Sequence, residues 1–287
     1  MKAGKRVVIF LILIFLSITI TSYSQTGSHS YNDKRKGQVA VSWGWNRAAY
    51  TRSNISFKGS DYDFKLYHVA AHDKPTLPVT FNKYLRPKYL TIPETNLRVS
   101  YFVKDNLAIS FGIDHMKYVM TQDQTARIKG TISQNGNYKG SYDGDIILSE
   151  DFLTFEHTDG LNYLNFEAEK YYTWYQSKRG RCIISGMYGG GAGVLFPKSN
   201  VKLLNYERND HFHVSGFGLS AKAGIQGTFF KHLIIKVEGK NGYINMPDII
   251  LHKKGIPGRA KQDFFFAEAY ATIGVTFNIS GRKNSDQ

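Results

Sequence analysis

Two polar residues in the second half of the chain have the types and the spacing of a nucleophile and its general base. His213 and Ser215 are separated only by Val214. In a β-strand, residues two apart point to the same face, so the imidazole of His213 can lie close enough to take the hydroxyl proton of Ser215. The chemistry open to such a pair is ester hydrolysis through an acyl intermediate. The alternative interpretation is a polar pair at the edge of a loop.

Two further patterns resemble ligand sites. His211 and His213, with Asp210 beside them, have a spacing that suits a transition metal, but no complete ligand set accompanies them. The glycine-rich run 189–193 lacks the following helix that a phosphate-binding loop requires. We therefore predict neither a metal nor a cofactor, and we interpret the glycines as permitting close packing within a strand.

The elements that would hold these residues are β-strands. Eight segments alternate apolar residues with small or polar ones at a period of two. The clearest is Phe265–Ile279, which is longer than the roughly 5–6 residues of a globular strand and long enough to cross a bilayer at a tilt. The other seven are 38–50, 94–103, 107–120, 161–176, 182–196, 212–229 and 233–246.

The connections between these strands alternate in length. Outer-membrane barrels have short periplasmic turns and long extracellular loops. The sequence therefore predicts an all-β, antiparallel up-and-down transmembrane β-barrel of eight strands with long extracellular loops. The short turns are 104–106, 177–180 and 230–232, and the long loops are 51–93, 121–160, 197–211 and 247–262.

Two of the long loops contain segments that can form further strands. Residues 55–57 can pair with 62–66, and residues 127–132 and 146–155 flank a glycine- and asparagine-rich stretch. Either pair can extend the barrel wall above the membrane or raise the strand number. A barrel of ten or twelve strands is therefore the alternative to eight.

One residue of the fourth predicted strand conflicts with a lipid-facing surface. Lys170 shares its face with Phe166 and Tyr172, and a cation near the bilayer midplane costs about 2–4 kcal/mol in such barrels. A β-bulge near Glu169 would reset the face and remove the conflict.

The inward positions of the predicted strands carry charges of both signs. An eight-stranded barrel has an interior just wide enough to be filled by side chains, and buried charges are tolerated when they are paired. We predict an ionic network that rigidifies the barrel, with a narrow ion path as the alternative. Glu169 has the same inward parity. The predicted network consists of Arg98, Asp114, Glu167, Lys222, Lys236, Glu238, Lys240 and Glu268.

The first 24 residues have the order of a secretory signal peptide. A basic stretch precedes an apolar run over 7–16, and small polar residues follow as far as Ser24. No later apolar run approaches the roughly 20 residues of a membrane helix, and the single Cys182 excludes an internal disulfide framework. The predicted location is the cell outer membrane. The predicted organisation is a signal peptide at 1–24, a periplasmic segment at 25–37, the barrel at 38–280 and a tail at 281–287.

The chain is strongly basic, with a formal net charge of +14. Basicity often indicates nucleic acid, but an exported protein meets lipopolysaccharide phosphates first, so we predict no nucleic acid. Lys and Arg beside the outer leaflet can make charge-assisted contacts with those phosphates. An extracellular protein or another polyanion is a more specific alternative partner. We expect the protein to be a monomer. The predicted ligand-binding residues are Lys253, Lys254, Arg259 and Lys261.

The whole chain after residue 24 resembles the small outer-membrane β-barrel proteins of Gram-negative bacteria. Tyr270–Phe277 is similar to their closing strand, and a mature start at Gln25 resembles exported proteins of the Bacteroidota. The class includes structural barrels, adhesion and resistance proteins and lipid-modifying enzymes, so the resemblance implies a location more directly than an activity.

The segment His213-Val214-Ser215 resembles the His-x-Ser dyad of the lipid A 3-O-deacylase barrels, which are also eight-stranded. This resemblance implies that His213 is the base and Ser215 the nucleophile, with an orienting acid on a neighbouring strand. Glu238 is the obvious acid but has inward parity. Our main hypothesis is a non-enzymatic outer-membrane barrel whose basic extracellular loops contact lipopolysaccharide or external partners. A lipid A deacylase-like esterase and a narrow, porin-like channel are the alternatives.

Overall fold

Segments that alternate apolar with small or polar residues form the strands of the described chain. The computed structural model describes residues 34–76, 93–209 and 211–279, and its regular elements are all β-strands. None of these residues forms a helix long and apolar enough to cross a membrane. The predicted signal peptide at 1–24, most of the segment 25–37 and the tail at 281–287 lie outside the described residues.

The strands follow one another along the chain and vary widely in length. In the described residues they are β1 (Gln38–Tyr50), β2 (Ser53–Gly59), β3 (Tyr62–Val69), β4 (Ala71–His72), β5 (Thr95–Lys104), β6 (Leu107–Met120), β7 (Thr125–Ile132), β8 (Gly140–Ile147), β9 (Leu153–Gln176), β10 (Cys182–Leu195), β11 (Asn200–Leu203), β12 (Gly216–Phe229), β13 (Leu233–Ile250) and β14 (Gly258–Asn278).

Eight of these strands close into a ring. Their order is β1-β5-β6-β9-β10-β12-β13-β14, and every neighbouring pair is antiparallel. The ring closes where β1 pairs with β14, from Gln38 opposite Asn278 to Tyr50 opposite Phe266. The predicted up-and-down barrel of eight strands is confirmed. Because the other strands do not enter this ring, the alternative of ten or twelve is wrong.

The turns are sorted by length between the two ends of the barrel. The short turns β5–β6, β9–β10 and β12–β13 lie at the end where β1 begins and β14 finishes. The four longer connections lie at the opposite end, as predicted. We call these the short-turn end and the long-loop end.

At the long-loop end, further strands extend the same sheet beyond the ring. The upper part of β14 leaves β1 and pairs with β2, and the sheet continues through β3 and β7 to β8. The predicted hairpin is present, with Ile55 opposite Leu66. The predicted pairing of 127–132 with 146–155 is wrong. β7 pairs with β8 instead, because Leu153 and Phe155 belong to β9, where they pair with β11.

The interior changes character along the barrel axis. Within the upper extension, inward side chains form one apolar core that includes Phe57, Leu66, Phe155, Leu203 and Phe264, all at most 2% exposed. Below it, the inward side chains of the eight-stranded ring are charged or polar. The outward side chains of that ring are apolar and exposed, so the ring inverts the usual arrangement of a soluble protein.

Lys170 lies on the outer face, as its parity predicted, but near the short-turn end. It is opposite Leu107, the first residue of β6 after the turn, and its ammonium lies 5.7 Å from the centre of the Tyr172 ring. The predicted bulge near Glu169 is wrong, because the register shift between β9 and β10 lies farther along, between Ile184 and Ser185. At this height the cation needs no bulge to avoid the middle of the apolar surface.

Candidate functional site

The first candidate site is the polar interior of the ring, and Lys222 lies at its lower part. Its ammonium contacts three carboxylates, at 2.7 Å from Glu169, 2.8 Å from Glu167 and 3.1 Å from Glu238. Lys222, Glu167 and Glu169 have no solvent-exposed side-chain surface. Glu169 also accepts hydrogen bonds from Ser110, at 2.8 Å, and from the hydroxyl of Tyr171, at 2.7 Å.

The upper part of the interior network is centred on Asp114. Arg98 donates to it at 2.9 Å, Lys240 forms an ion pair with its other oxygen, and Asn96 and Asn165 donate to it at 2.8 and 2.9 Å. Arg98 and Lys240 also reach Glu167, at 3.0 and 2.8 Å. Glu167 therefore links the lower cluster to the upper one.

The remaining two predicted members lie at the margins of the network. Glu268 accepts a hydrogen bond from Asn96 at 2.9 Å and has no cation within ion-pair distance among the described residues. Lys236 donates to the hydroxyl of Tyr171 at 3.2 Å. All eight predicted residues are at most 4% exposed. Asn96, Asn165 and Tyr171 also belong to the network and were not predicted, although the alternation of their strands gives them inward positions.

Glycines make the space that the long charged side chains fill. A Cβ on Gly112 would lie on top of the Arg98 guanidinium, and a Cβ on Gly191 would come within 2.8 Å of the Glu167 side chain. Gly189, Gly191 and Gly193 all face inward on β10. The glycine run therefore serves packing.

The short-turn mouth of the barrel is closed by Arg35. Its guanidinium lies 5.1 Å from the Tyr171 ring centre and 5.6 Å from that of Phe102, and it donates to the hydroxyl of Ser185. Arg35 is 3% exposed. Within the described residues, this plug, the ionic network and the apolar core above it fill the lumen along its length.

The second candidate site contains His213 and Ser215, just before β12. His213 contacts a carboxylate that was not predicted, with its Nε2 2.8 Å from Asp248. Arg259 holds the other oxygen of Asp248 at 2.8 Å. The hydroxyl of Ser215 donates to the backbone carbonyl of His213 at 3.4 Å and lies 2% exposed. The structure brings together a base, His213, and an acid, Asp248, but the Ser215 hydroxyl does not hydrogen-bond to the His213 imidazole.

A register count would have found Asp248. Phe217 faces Asn245 across the β12–β13 hairpin, so continuing the same register puts the region of Asp248 beside His213 and Ser215. The predicted strand ends at Met246, whereas β13 continues to Ile250. As for the metal hypothesis, the described residues contain no metal-binding group of three or more His, Cys, Asp or Glu, and Asp210 lies outside the described residues.

The predicted ligand-binding residues lie at the long-loop end, and two of them are paired with acidic residues. Lys253 pairs with Glu207 at 3.0 Å and Arg259 pairs with Asp248. Lys254 and Lys261 are exposed. The described residues of the long-loop end contain sixteen Lys and Arg and fourteen Asp and Glu, counted over 47–76, 94, 117–159, 197–209 and 248–263. Contrary to the expectation from the sequence, the described long loops are close to electroneutral.

A pocket of about 350 Å³ lies at the long-loop end. Its lining includes Lys74, His115, Lys117 and Asp159. Lys117 donates to the Thr76 hydroxyl at 2.7 Å, and Lys74 is 58% exposed. Both lysines have acidic partners, since Lys74 lies 3.4 Å from Glu156 and Lys117 lies 3.6 Å from Glu94.

Comparisons with known proteins give only distant structural likenesses. No family model matches the chain, and no curated protein matches it. The outer membrane protein OprG of Pseudomonas aeruginosa is 10% identical with a TM-score of 0.41, covering 85% of this chain and 97% of its own. Neisserial surface protein A is 10% identical with a TM-score of 0.38, covering 84% and 98%. The attachment invasion locus protein of Yersinia pestis is 9% identical with a TM-score of 0.34, covering 84% and 99%. At such values the fold assignment rests on the strand pairing alone.

Proposed function

We propose that this chain is a non-enzymatic β-barrel of the bacterial outer membrane whose long-loop end contacts lipopolysaccharide. The observation that carries the proposal is the inverted ring, which has buried ion pairs inside and exposed apolar side chains outside. Exposed apolar patches of this extent mark a surface that meets protein or lipid. The outward residues include Leu97, Val99, Ile109, Phe111, Phe166, Val194, Phe217, Leu219, Ile225, Ile235, Val237, Phe265, Ile273, Val275 and Phe277, each at least 37% exposed.

The shape of this surface favours lipid over a protein partner. The exposed apolar residues occur on seven of the eight ring strands, so the surface encircles the barrel. The eighth strand, β1, contributes half-buried outward residues that include Trp43 and Trp45. A bilayer covers such a belt completely, and a barrel crosses it with strands of roughly 9–11 residues.

A filled interior supports a structural role for the ring. Side chains occupy the lumen from the Arg35 plug to the apolar core, so an open ion path would require displacing buried ion pairs. Channel activity is tested by conductance in planar bilayers. We expect no single-channel steps, and reproducible steps that change when Lys240→Gln is introduced would overturn the structural role.

Contact with lipopolysaccharide is supported by exposed cations at the long-loop end, the end that would face outer-leaflet phosphates. Lys74, Lys254 and Lys261 are exposed there, and the described residues place no carboxylate within ion-pair distance of Lys254 or Lys261. Charge-assisted bonds to phosphate oxygens are the strong kind of hydrogen bond. We expect the detergent-folded monomer to retain lipopolysaccharide in native mass spectrometry.

The test of this contact compares phosphorylated with dephosphorylated lipopolysaccharide. The variant Lys74→Gln/Lys254→Gln/Lys261→Gln should retain several-fold less of the phosphorylated form, and the two forms should differ little in that variant. Lys58→Gln/Lys129→Gln/Lys139→Gln, which removes three exposed cations of the β2–β3 and β7–β8 hairpins, is the matched control. Equal retention of both forms by the wild type would contradict the proposal.

The esterase is a second candidate because of one observation, the 2.8 Å contact between His213 and Asp248. It supplies the carboxylate that would orient a general base. The hydroxyl of Ser215 faces the His213 carbonyl, and this arrangement favours the non-enzymatic role. Lipid A from cells with and without the protein should have the same acyl chains. Loss of one acyl chain, restored by Ser215→Ala, would establish the esterase instead.

A further inference from the structure

The positive charge of the described chain is concentrated at the short-turn end. Asp105 is the only acidic residue among the described turns and termini there, and it accompanies eight basic residues. One of these, Arg35, is the buried plug. The seven exposed cations are Lys34, Lys36, Lys104, Lys178, Arg179, Arg181 and Lys231. We call these seven residues the cationic rim.

The rim is not neutralised by the described part of the chain. The described residues place no carboxylate within ion-pair distance of any of the seven cations. Asp105 is already engaged, because one of its oxygens accepts the backbone N–H groups of Arg35 at 3.0 Å and Lys36 at 2.9 Å. Seven like charges on one small face repel each other, so this face suits an anionic partner.

Exposed aromatic side chains lie next to the cations at each short turn. Tyr101 precedes Lys104, Tyr175 precedes Lys178, and Phe230 precedes Lys231, each within three residues. Their exposed fractions are 43%, 51% and 71%. Aromatic side chains at the edge of an apolar belt mark the level where acyl chains meet headgroups.

The spacing puts the rim at the depth of lipid phosphates. A strand rises about 3.3 Å per residue, so cations one to three residues beyond the aromatics lie within roughly 10 Å of that level. The headgroup layer is about 5–7 Å thick on each side of a bilayer, and long Lys and Arg side chains extend toward it along the barrel surface.

We propose that the cationic rim binds the phosphates of anionic phospholipids in the leaflet that surrounds the short-turn end. The proposal rests on the barrel crossing a membrane, as proposed above. The Arg35 plug closes the lumen at this end, so the phosphates bind around the rim and not inside the barrel. Each cation beside an anionic surface changes partitioning by roughly fivefold, so several together give a strong preference for anionic over zwitterionic lipid.

The test uses the full chain folded in detergent and a competition between two lipids with the same acyl chains. Phosphatidylglycerol and phosphatidylcholine are offered in equal amounts, and the retained lipids are counted by native mass spectrometry. The wild type should retain phosphatidylglycerol at least tenfold over phosphatidylcholine. The rim variant Lys104→Gln/Lys178→Gln/Arg179→Gln/Arg181→Gln/Lys231→Gln should fall to a ratio below about threefold.

The matched control removes five exposed cations from the long-loop end. In Arg52→Gln/Lys58→Gln/Lys129→Gln/Lys139→Gln/Lys202→Gln, which contains no residue of the proposed lipopolysaccharide contact, the preference for phosphatidylglycerol should stay within about twofold of the wild type. An equal loss in both variants, or no preference in the wild type, would overturn the proposal. A third arm adds inorganic polyphosphate, and full displacement of phosphatidylglycerol by it would assign the rim to a soluble polyanion.

The two proposals fail differently. If the chain inserts into vesicles but does not distinguish the two lipids, the rim does not bind phosphates and the membrane barrel stands. If the chain inserts into vesicles of neither composition, the membrane barrel itself is wrong.

Discussion

Lys222 and Glu169 form their 2.7 Å ion pair across a strand that carries no side chain between them. Lys222 is on β12 and Glu169 is on β9, and both are opposite Gly189 of the intervening β10. The pair therefore closes over a glycine. This relationship explains why glycines and charges accompany each other in the ring, and it makes the consequences of changing either one predictable.

Replacing Lys222 by Met should destabilise the barrel strongly. Removing one partner of a buried ion pair typically costs about 3–5 kcal/mol, and here three carboxylates lose a cation. The measurement is unfolding in urea from detergent micelles or vesicles. The double variant Lys222→Met/Glu169→Gln should recover part of the loss, because one uncompensated carboxylate is removed with the cation.

The control for this prediction is Lys231→Met on an exposed turn, which should shift the free energy of unfolding by less than about 0.5 kcal/mol. A loss of similar size in Lys231→Met and Lys222→Met would show that the interior network does not stabilise the ring.

Adding a methyl group at Gly112 should disrupt the network through its shape. The new Cβ would occupy the position of the Arg98 guanidinium, and overpacking of this kind costs about 1–3 kcal/mol. Gly239 offers a matched control, because a Cβ there meets no atom within 4 Å. Gly239→Ala should leave the unfolding midpoint in place, and an equal effect of the two substitutions would contradict the packing role of Gly112.

The upper extension should weaken in acid because of His157. Burial lowers the pKa of this imidazole from 6.5 to about 4, so the folded state favours the neutral form. The unfolded state then binds more protons between these two values, and stability is full above about pH 6.5 and falls as the pH drops toward 4. The thermal midpoint by near-ultraviolet circular dichroism should be lower at pH 5 than at pH 7.5.

The variant His157→Gln isolates this contribution. It removes the titrating group and can keep a hydrogen bond to Ser199, which lies 2.8 Å from Nδ1 of His157. The difference between the two pH values should shrink in the variant. An unchanged difference would assign the acid sensitivity to other groups.

The ring was predictable from the sequence because inward and outward positions alternate with a period of two residues along each of its strands. β1 and β6 have their predicted bounds, since alternation continues to the residue where each turn begins. Parity alone also predicted the inward direction of Arg98, Asp114 and Lys240. These features depend only on local chain geometry, which each strand carries by itself.

The long-loop end was less predictable because its interior is apolar and its outer face is polar. In β9 the inward positions change from charged residues such as Glu167 to apolar ones such as Phe155. The rule that inward side chains are polar and outward ones apolar therefore holds for only part of the strand. The partner of β7 depends on a hairpin in a region rich in Gly and Asn. Asp248 was not predicted because it lies on β13 whereas His213 precedes β12, so their contact depends on how the two strands pair.

The most direct test of the membrane barrel uses the three tryptophans of the chain. Trp43, Trp45 and Trp174 all lie on the outer face of the ring, and Trp174 is 52% exposed. In vesicles whose acyl chains carry bromine, contact with the chains should quench most of the tryptophan fluorescence, while acrylamide in the water should quench little. Strong quenching by acrylamide with none by brominated lipid, or a chain that stays in solution without detergent, would contradict the membrane-spanning barrel.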